Sequence, residues 1–303
     1  MPPLHTIHTL FRGSTLKILD YRCSGEERGK AEEEWPDSFQ VALPRKGVYV
    51  HRDARGTVVA DPNQAIFFNR NQPYEVTHPL PGGDASTVFI LKEGIVRELL
   101  EAAQPWRSSE SLPSFAYSHL TVKTPLRLWQ FWLLQAGRAI PAVDALAVEE
   151  LALTLLGQLV AAGSGEEGRR AAFAGRSAAT LRAQADLAHD TMLYLNGRAP
   201  EPLSLAAVAG AVHASLFHLC RVFRQETGGT LYGYVQRLRL LDAAERMTDA
   251  PRHSLARIAV DCGFASHSHL SSAFRQAFGM SPSQFRRAVT ERRLRQMRKI
   301  LKV

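Results

Sequence analysis

A twenty-residue pattern that occurs twice sets the strongest constraint on this chain. Residues 215–234 read SLFHLCRVFRQETGGTLYGY and residues 266–285 read SHSHLSSAFRQAFGMSPSQF. Set 51 positions apart, Ser215 meets Ser266, Leu219 meets Leu270, and Phe223-Arg224-Gln225 meets Phe274-Arg275-Gln276. Gly228 meets Gly279, and Tyr234 meets Phe285. Upstream, SLAAVAGAVHAS parallels SLARIAVDCGFAS with one extra residue, which a turn tolerates. Each copy predicts a short helix (204–211 and 254–261), a tight turn, a serine N-cap and a second helix ending near Arg224 or Arg275. Two short helices joined in this way make a helix-turn-helix. Residues 231–248 read as a helix between the units, spanning about 27 Å against a DNA turn of roughly 34 Å.

The second copy contains His267-Ser-His269, a spacing that suits a metal on a strand. Residues two apart on a helix point about 200° apart, so the pair does not chelate one ion there. The helical wheel instead puts Leu219, Val222 and Phe223 on a core face of one second helix and Leu270, Ala273 and Phe274 on that of the other. The opposite faces carry Phe217, Arg221 and Arg224, and Ser268, Ser272 and Arg275, flanked by His218 and Cys220 or His269 and Ser271. A cation, hydroxyls and imidazoles on an outward face suit the major groove of DNA.

Charge agrees. Residues 177–303 hold 18 Lys and Arg against nine Asp and Glu, whereas residues 1–176 hold 19 against 20. A polyanion partner therefore belongs to the C-terminal half. Cys23, Cys220 and Cys262 lie far apart without a C-x-x-C, which predicts a reducing, cytoplasmic setting rather than a disulfide framework. No signal peptide and no uninterrupted apolar run of membrane-spanning length is read, so no membrane partner is expected.

Residues 38–92 hold six short runs rich in Val, Ile, Phe, Tyr and Thr, separated by turn signals such as PGGD at 81–84. This predicts a small β-barrel or sandwich. Helices are expected at 93–103, 124–140 and 144–162. In the last, Leu151, Leu155 and Leu159 form a stripe that either packs on its own domain or makes a dimer interface. The stretch 163–178, GSGEEGRRAAFAGRSA, reads as a linker. The expected domains are 1–162, the linker 163–178, 179–290, and a basic tail 291–303 that touches DNA, packs back or stays solvated.

From these motifs the chain resembles the AraC/XylS family of bacterial transcription regulators over roughly 180–287. The resemblance rests on Gly263-Phe264 with Ser266, Phe274-Arg275, Gly279 with Ser281-Pro282, and Phe285-Arg286. It implies an α+β protein: a cupin-like β-barrel plus helices that sense an effector and dimerise, then an all-α domain with two helix-turn-helix units on successive major grooves. By position, base-facing roles fall on Phe217, Cys220 and Arg221, and on His267, Ser268, Ser271 and Ser272. Arg221 contacts guanine, or else phosphate or Glu226; Phe217 packs on a thymine methyl or is a buried aromatic. Family members often carry Arg where this chain has Ser272, so the second unit is expected to rely more on phosphates and DNA shape. Arg237, Arg239, Arg246, Arg286 and Arg287 are further phosphate candidates.

The implied partners are double-stranded DNA, a small-molecule effector, RNA polymerase and a second copy joined through the N-terminal domain. Candidate effector contacts are Phe39, Tyr49, His51, Phe68, Tyr74 and His78. No cofactor, metal or enzymatic activity is expected. His51 and His78 are read as standing alone, and strand alternation sends Glu75 and His78 to opposite faces. The rival reading is a non-specific architectural DNA binder, for which charge alone would suffice.

Overall fold

A computed structural model describes residues 5–25, 33–104, 112–138, 145–171, 177–250 and 252–290, with the side chains of 165–171 and 290 left aside. The tail 291–303 lies outside the described residues. The strands are β1 (His5–Arg12), β2 (Leu16–Cys23), β3 (Glu33–Glu34), β4 (Phe39–Gly47), β5 (Tyr49–Asp53), β6 (Gly56–Ala60), β7 (Gln64–Phe68), β8 (Tyr74–Thr77), β9 (Asp84–Leu91) and β10 (His119–Thr121). The helices are α1 (Glu93–Ala103), α2 (Thr124–Arg138), α3 (Ala145–Ala171), α4 (Ala178–Gly197), α5 (Leu205–Ala211), α6 (Leu216–Thr227), α7 (Leu231–Asp249), α8 (Leu255–Asp261), α9 (His267–Phe278) and α10 (Pro282–Thr290).

The six apolar runs of 38–92 are β4 to β9. They do not close into a barrel. A six-stranded sheet in the order β1-β2-β9-β4-β7-β10 faces a four-stranded sheet in the order β3-β8-β5-β6, and every pairing is antiparallel. Strand alternation divides β4 and β7 between two cores. Ala42, Ile66 and Phe68 point between the sheets with Tyr49 and Val58. Phe39, Val41, Leu43, Ala65 and Phe67 point the other way, onto α1, α2 and α3.

Leu155 and Leu159 are fully buried in that second core, so they pack on their own domain rather than offering a dimer face. Helix α3 also runs on to Ala171, well into the stretch expected as linker. By length and composition Ala145–Ser164 would suffice to cross a bilayer. Val148, Ala152, Leu155 and Val160 instead line the core beneath the six-stranded sheet.

The same core continues into the C-terminal half. Leu240, Leu241 and Met247 of α7, Phe264, Phe274 of α9 and Phe285 of α10 belong to it. Phe285 meets Phe131 of α2 edge to face, with ring centroids 5.7 Å apart. A smaller core forms under the first unit from Met192, Leu195, Val208, Leu219, Phe223 and Tyr234, together with Val48 and Val59 from the sheets.

Candidate nucleic-acid interface

Each unit is built by the same local chemistry. Ser204, Ser215, Thr230, Ser254 and Ser266 cap α5, α6, α7, α8 and α9, each accepting a backbone N–H three residues on. Such caps contribute about 1 kcal/mol each. Gly228 and Gly279 close α6 and α9 in the left-handed region, at φ 72° and 73°. Helices α5 and α6 meet at 85°. The turn residues are His213 at φ 51° and Gly263 at φ 81°. The extra residue of the second copy follows this turn position and precedes the serine cap.

The outward faces agree with the helical wheel. Leu219, Val222 and Phe223 are buried, while Phe217, Arg221 and Arg224 are exposed and Cys220 is half-buried. Phe217 is 80% exposed, which removes the alternative of a buried aromatic. In α9, Leu270, Ala273 and Phe274 are buried; His267, Ser268, Ser272 and Arg275 are exposed and Ser271 is half-buried. Arg221 Nη2 donates to His218 Nδ1 at 3.2 Å. His267 starts α9 and shares no helix face with His269.

Several arginines named as phosphate candidates have other work. Arg239 donates to the carbonyls of Ala199, Gly263 and Glu201 at 2.6, 3.0 and 2.7 Å. It ties the α4–α5 loop to the turn of the second unit. Arg237 Nε donates to Asn63 Oδ1 at 3.0 Å, and Arg246 pairs with Asp242 at 2.9 Å.

What the sequence reading missed is a polar seam between the halves. Arg45, fully buried, donates from Nε to both Glu245 carboxylate oxygens (3.1 and 3.2 Å), from Nη1 to Thr87 Oγ1 (2.8 Å), and from Nη2 to Asp20. Arg138 bridges Asp20 and Asp249, each at 3.0 Å. Burial raises the Asp20 carboxyl, but Arg45, Arg138 and Arg22 outweigh it and hold it below its ordinary value. Glu245 ends above its ordinary value because burial exceeds the pull of Arg45. Nearer the first unit, Asp61 accepts from Tyr234 Oη and from Asn196 Nδ2 at 2.8 Å. Burial pushes the Asp61 carboxyl up against these hydrogen bonds. The available signal was an alternating strand, Leu16-x-Ile18-x-Asp20, that places a carboxylate on an apolar face.

The effector candidates divide. Tyr49, His51, Phe68 and Tyr74 gather between the sheets, with His51 4.9 Å from the Phe68 ring and 5.6 Å from the Tyr74 ring, centroid to centroid. His51 is fully buried, neither ring nitrogen has a hydrogen-bond partner among the described residues, and burial lowers its pKa to about 4. Phe39 faces the opposite core, against Phe115, because it sits on the other parity of β4. His78 lies just past β8 and does not stand alone: its Nε2 is 2.8 Å from Asp84 Oδ1.

A family model described as "Helix-turn-helix domain" matches residues 208–288. The "HTH-type transcriptional activator RhaS" of Escherichia fergusonii is 38% identical over 93 residues, 31% of this chain and 33% of that protein. The "Right origin-binding protein" of Escherichia coli K12 is 33% identical over 107 residues, 35% of this chain and 36% of that protein. The alignments thus span about a third of these relatives. A solved AraC-type DNA-binding-domain protein from Chromobacterium violaceum has 27% identity over 36% of this chain and 97% of that one, with a TM-score of 0.34. Over its repeated units the chain thus carries a helix-turn-helix domain and is similar there to these regulators.

Proposed function

We propose that this chain is a sequence-specific DNA-binding transcription regulator acting in the cytoplasm, with α6 and α9 reading successive major grooves. The observation that carries the reading is one backbone plan used twice, with the outward faces exposing Arg221 and Arg224, and Ser272 and Arg275. Helix α7, which joins the units, has 19 residues and so a length of about 28 Å, near one DNA turn. Non-specific binding would need only charge. That second reading draws on the six Lys and Arg packed into 291–303.

Between the sheets, the unpartnered nitrogens of His51 amid Phe68 and Tyr74 support a pocket for a small, flat effector with one polar atom. A second copy would join through a surface of the N-terminal domain other than Leu155 and Leu159. The activator role and a contact to RNA polymerase rest on kinship alone.

Selection of bound sequences from a random duplex pool by the full chain tests the reading. The isolated C-terminal half is unsuitable, because Phe285 and its neighbours share a core with α2. Two enriched boxes about one helical turn apart support a regulator. Binding without an enriched motif, fading uniformly as salt rises, favours the architectural reading.

A further inference from the structure

Three side chains that no DNA contact uses meet at one end of the sheets. Cys23 ends β2 and stands directly opposite Asp84, the first residue of β9. His78 returns to them through the loop 78–83. One Cys23 sulfur, one His78 ring nitrogen and one Asp84 carboxylate oxygen lie within 4.8 Å of one another. The His78 and Asp84 side chains are only 10% and 3% exposed. Their 2.8 Å contact is the one an inserted ion would replace.

The backbone around the cluster is held tightly. Gly83 has a positive φ of 62°, and a Cβ there would fall 1.9 Å from the Cys23 carbonyl oxygen. The Gly25 N–H points at Cys23 Sγ at 3.4 Å, and Ser86 Oγ donates to Asp84 Oδ2 at 3.1 Å. The chain thus closes on the three ligands from two sides and orients the carboxylate from behind, as second-layer hydrogen bonds do in metal sites.

We propose that Cys23, His78 and Asp84 bind a zinc ion that fixes the loop 78–83 against the first helix-turn-helix unit. Sulfur, imidazole and carboxylate are the three zinc donor types. A thiolate disfavours magnesium and calcium. At zinc bond lengths and tetrahedral angles, ligand atoms stand roughly 3.3–3.7 Å apart, which the cluster reaches by small side-chain shifts. Three protein ligands leave the fourth position for water or an exogenous donor. Binding requires the thiol to lose its proton to solvent as the metal–sulfur bond forms. The consequence for the DNA-binding half follows from Leu80. It packs into the core under the first unit, and a Cβ on Gly197, the last residue of α4, would sit 3.4 Å from Leu80 Cδ1. An ion at one end of this loop therefore restrains a side chain that supports α4.

The test uses the full chain, stripped with chelator and then titrated with zinc or with cobalt(II) as a spectroscopic stand-in. One zinc per chain is expected, along with a cobalt spectrum carrying a thiolate charge-transfer band. Cys23→Ser should abolish the band, and His78→Ala should remove tight binding, with far-UV circular dichroism unchanged in both. No stoichiometric metal, or binding indifferent to both substitutions, overturns the site. For the coupling, zinc should slow hydrogen exchange at 78–83 and at the C-terminal end of α4 in the wild type only. Zinc bound without that protection overturns the coupling and leaves the site. Neither readout uses DNA. A further consequence rests on the DNA-binding reading: at least about a fivefold change in operator affinity with zinc. Failure of that reading shows separately, as the absence of specific DNA binding with or without metal.

Discussion

The two helix-turn-helix units share a plan and differ in what they lean on. The second is continuous with the N-terminal half: Phe264, Phe274 and Phe285 sit in one core with the six-stranded sheet and α2. The first has its own small core and touches the N-terminal half through Val48, Val59 and Leu80. Helix α7 repeats the contrast along its length. Its end near the second unit is held by the buried Arg45–Glu245 pair, and its end near the first by hydrogen bonds from Tyr234 and Arg237 to Asp61 and Asn63. A regulator must change how its two reading heads are presented. The lesson is that two units alike in plan are seated differently, the second within the large shared core and the first over a small core of its own.

Breaking the anchor should cost most. Arg45→Met leaves Asp20 and Glu245 buried without the buried cation between them, with Arg22 and Arg138 remaining at the edge. Removing one partner of a buried ionic cluster costs about 3–5 kcal/mol, read as a lower denaturation midpoint at pH 7. The pH sense sharpens the test. Asp20 is depressed in the fold, so its contribution is present above the ordinary carboxylate range and lost as pH falls through its folded value. In the variant both carboxyls take protons more readily, so the gap to wild type should narrow on acidification. An unchanged gap from pH 7 to 4 would show that charge burial is not what Arg45 neutralises.

The turns offer a second contrast at equivalent positions. Gly263 has φ 81°, and a Cβ there would lie 2.4 Å from the Pro200 carbonyl oxygen. Gly263→Ala therefore combines left-handed strain with a backbone clash, about 2–3 kcal/mol together. His213 already occupies the same region with a side chain, at φ 51°. His213→Gly relieves that strain and returns unfolded-state freedom, so thermal unfolding should shift by less than about 1 kcal/mol in either direction. Equal losses at both turns would sink the distinction between a packed and an open turn.

The sequence made the second halves of the units legible because their information is local. Helical period, serine caps and glycine stops lie within fourteen residues, and the repeat reads them twice. The six strands β4 to β9 were legible for the same reason. Closure was not: strand spacing cannot tell a barrel from two open sheets, since pairing β2 with β9 joins distant segments. The buried charges were hidden for a related reason. Arg45 finds its partners 25 and 200 positions away, and in one sequence it looks like any surface arginine. Cys23 and Asp84 face each other across 61 positions, which is why His78 looked solitary. The stretch after 162 reads as linker from its Gly, Ser and charge, yet α3 continues through it to Ala171.

The reading faces give the smallest predicted effects and the finest discrimination. Arg221 is exposed and reaches from the middle of α6, with His218 as a hydrogen-bonding neighbour that steadies its guanidinium. A bidentate contact to guanine is worth about 1–3 kcal/mol of discrimination against the wrong base. Arg221→Ala should thus weaken operator binding about tenfold to a hundredfold and relax the preference at one base pair. At constant salt, a uniform loss across all sequences would instead assign Arg221 to a phosphate. Ser272 occupies the corresponding outward place on α9 with a side chain too short for a guanine fork. Its loss in Ser272→Ala should cost less than about 1 kcal/mol and leave the base preference unchanged. If Ser272→Ala cost as much as Arg221→Ala, the second unit would be reading bases as closely as the first. The division of labour between them would then have to come from the seam alone.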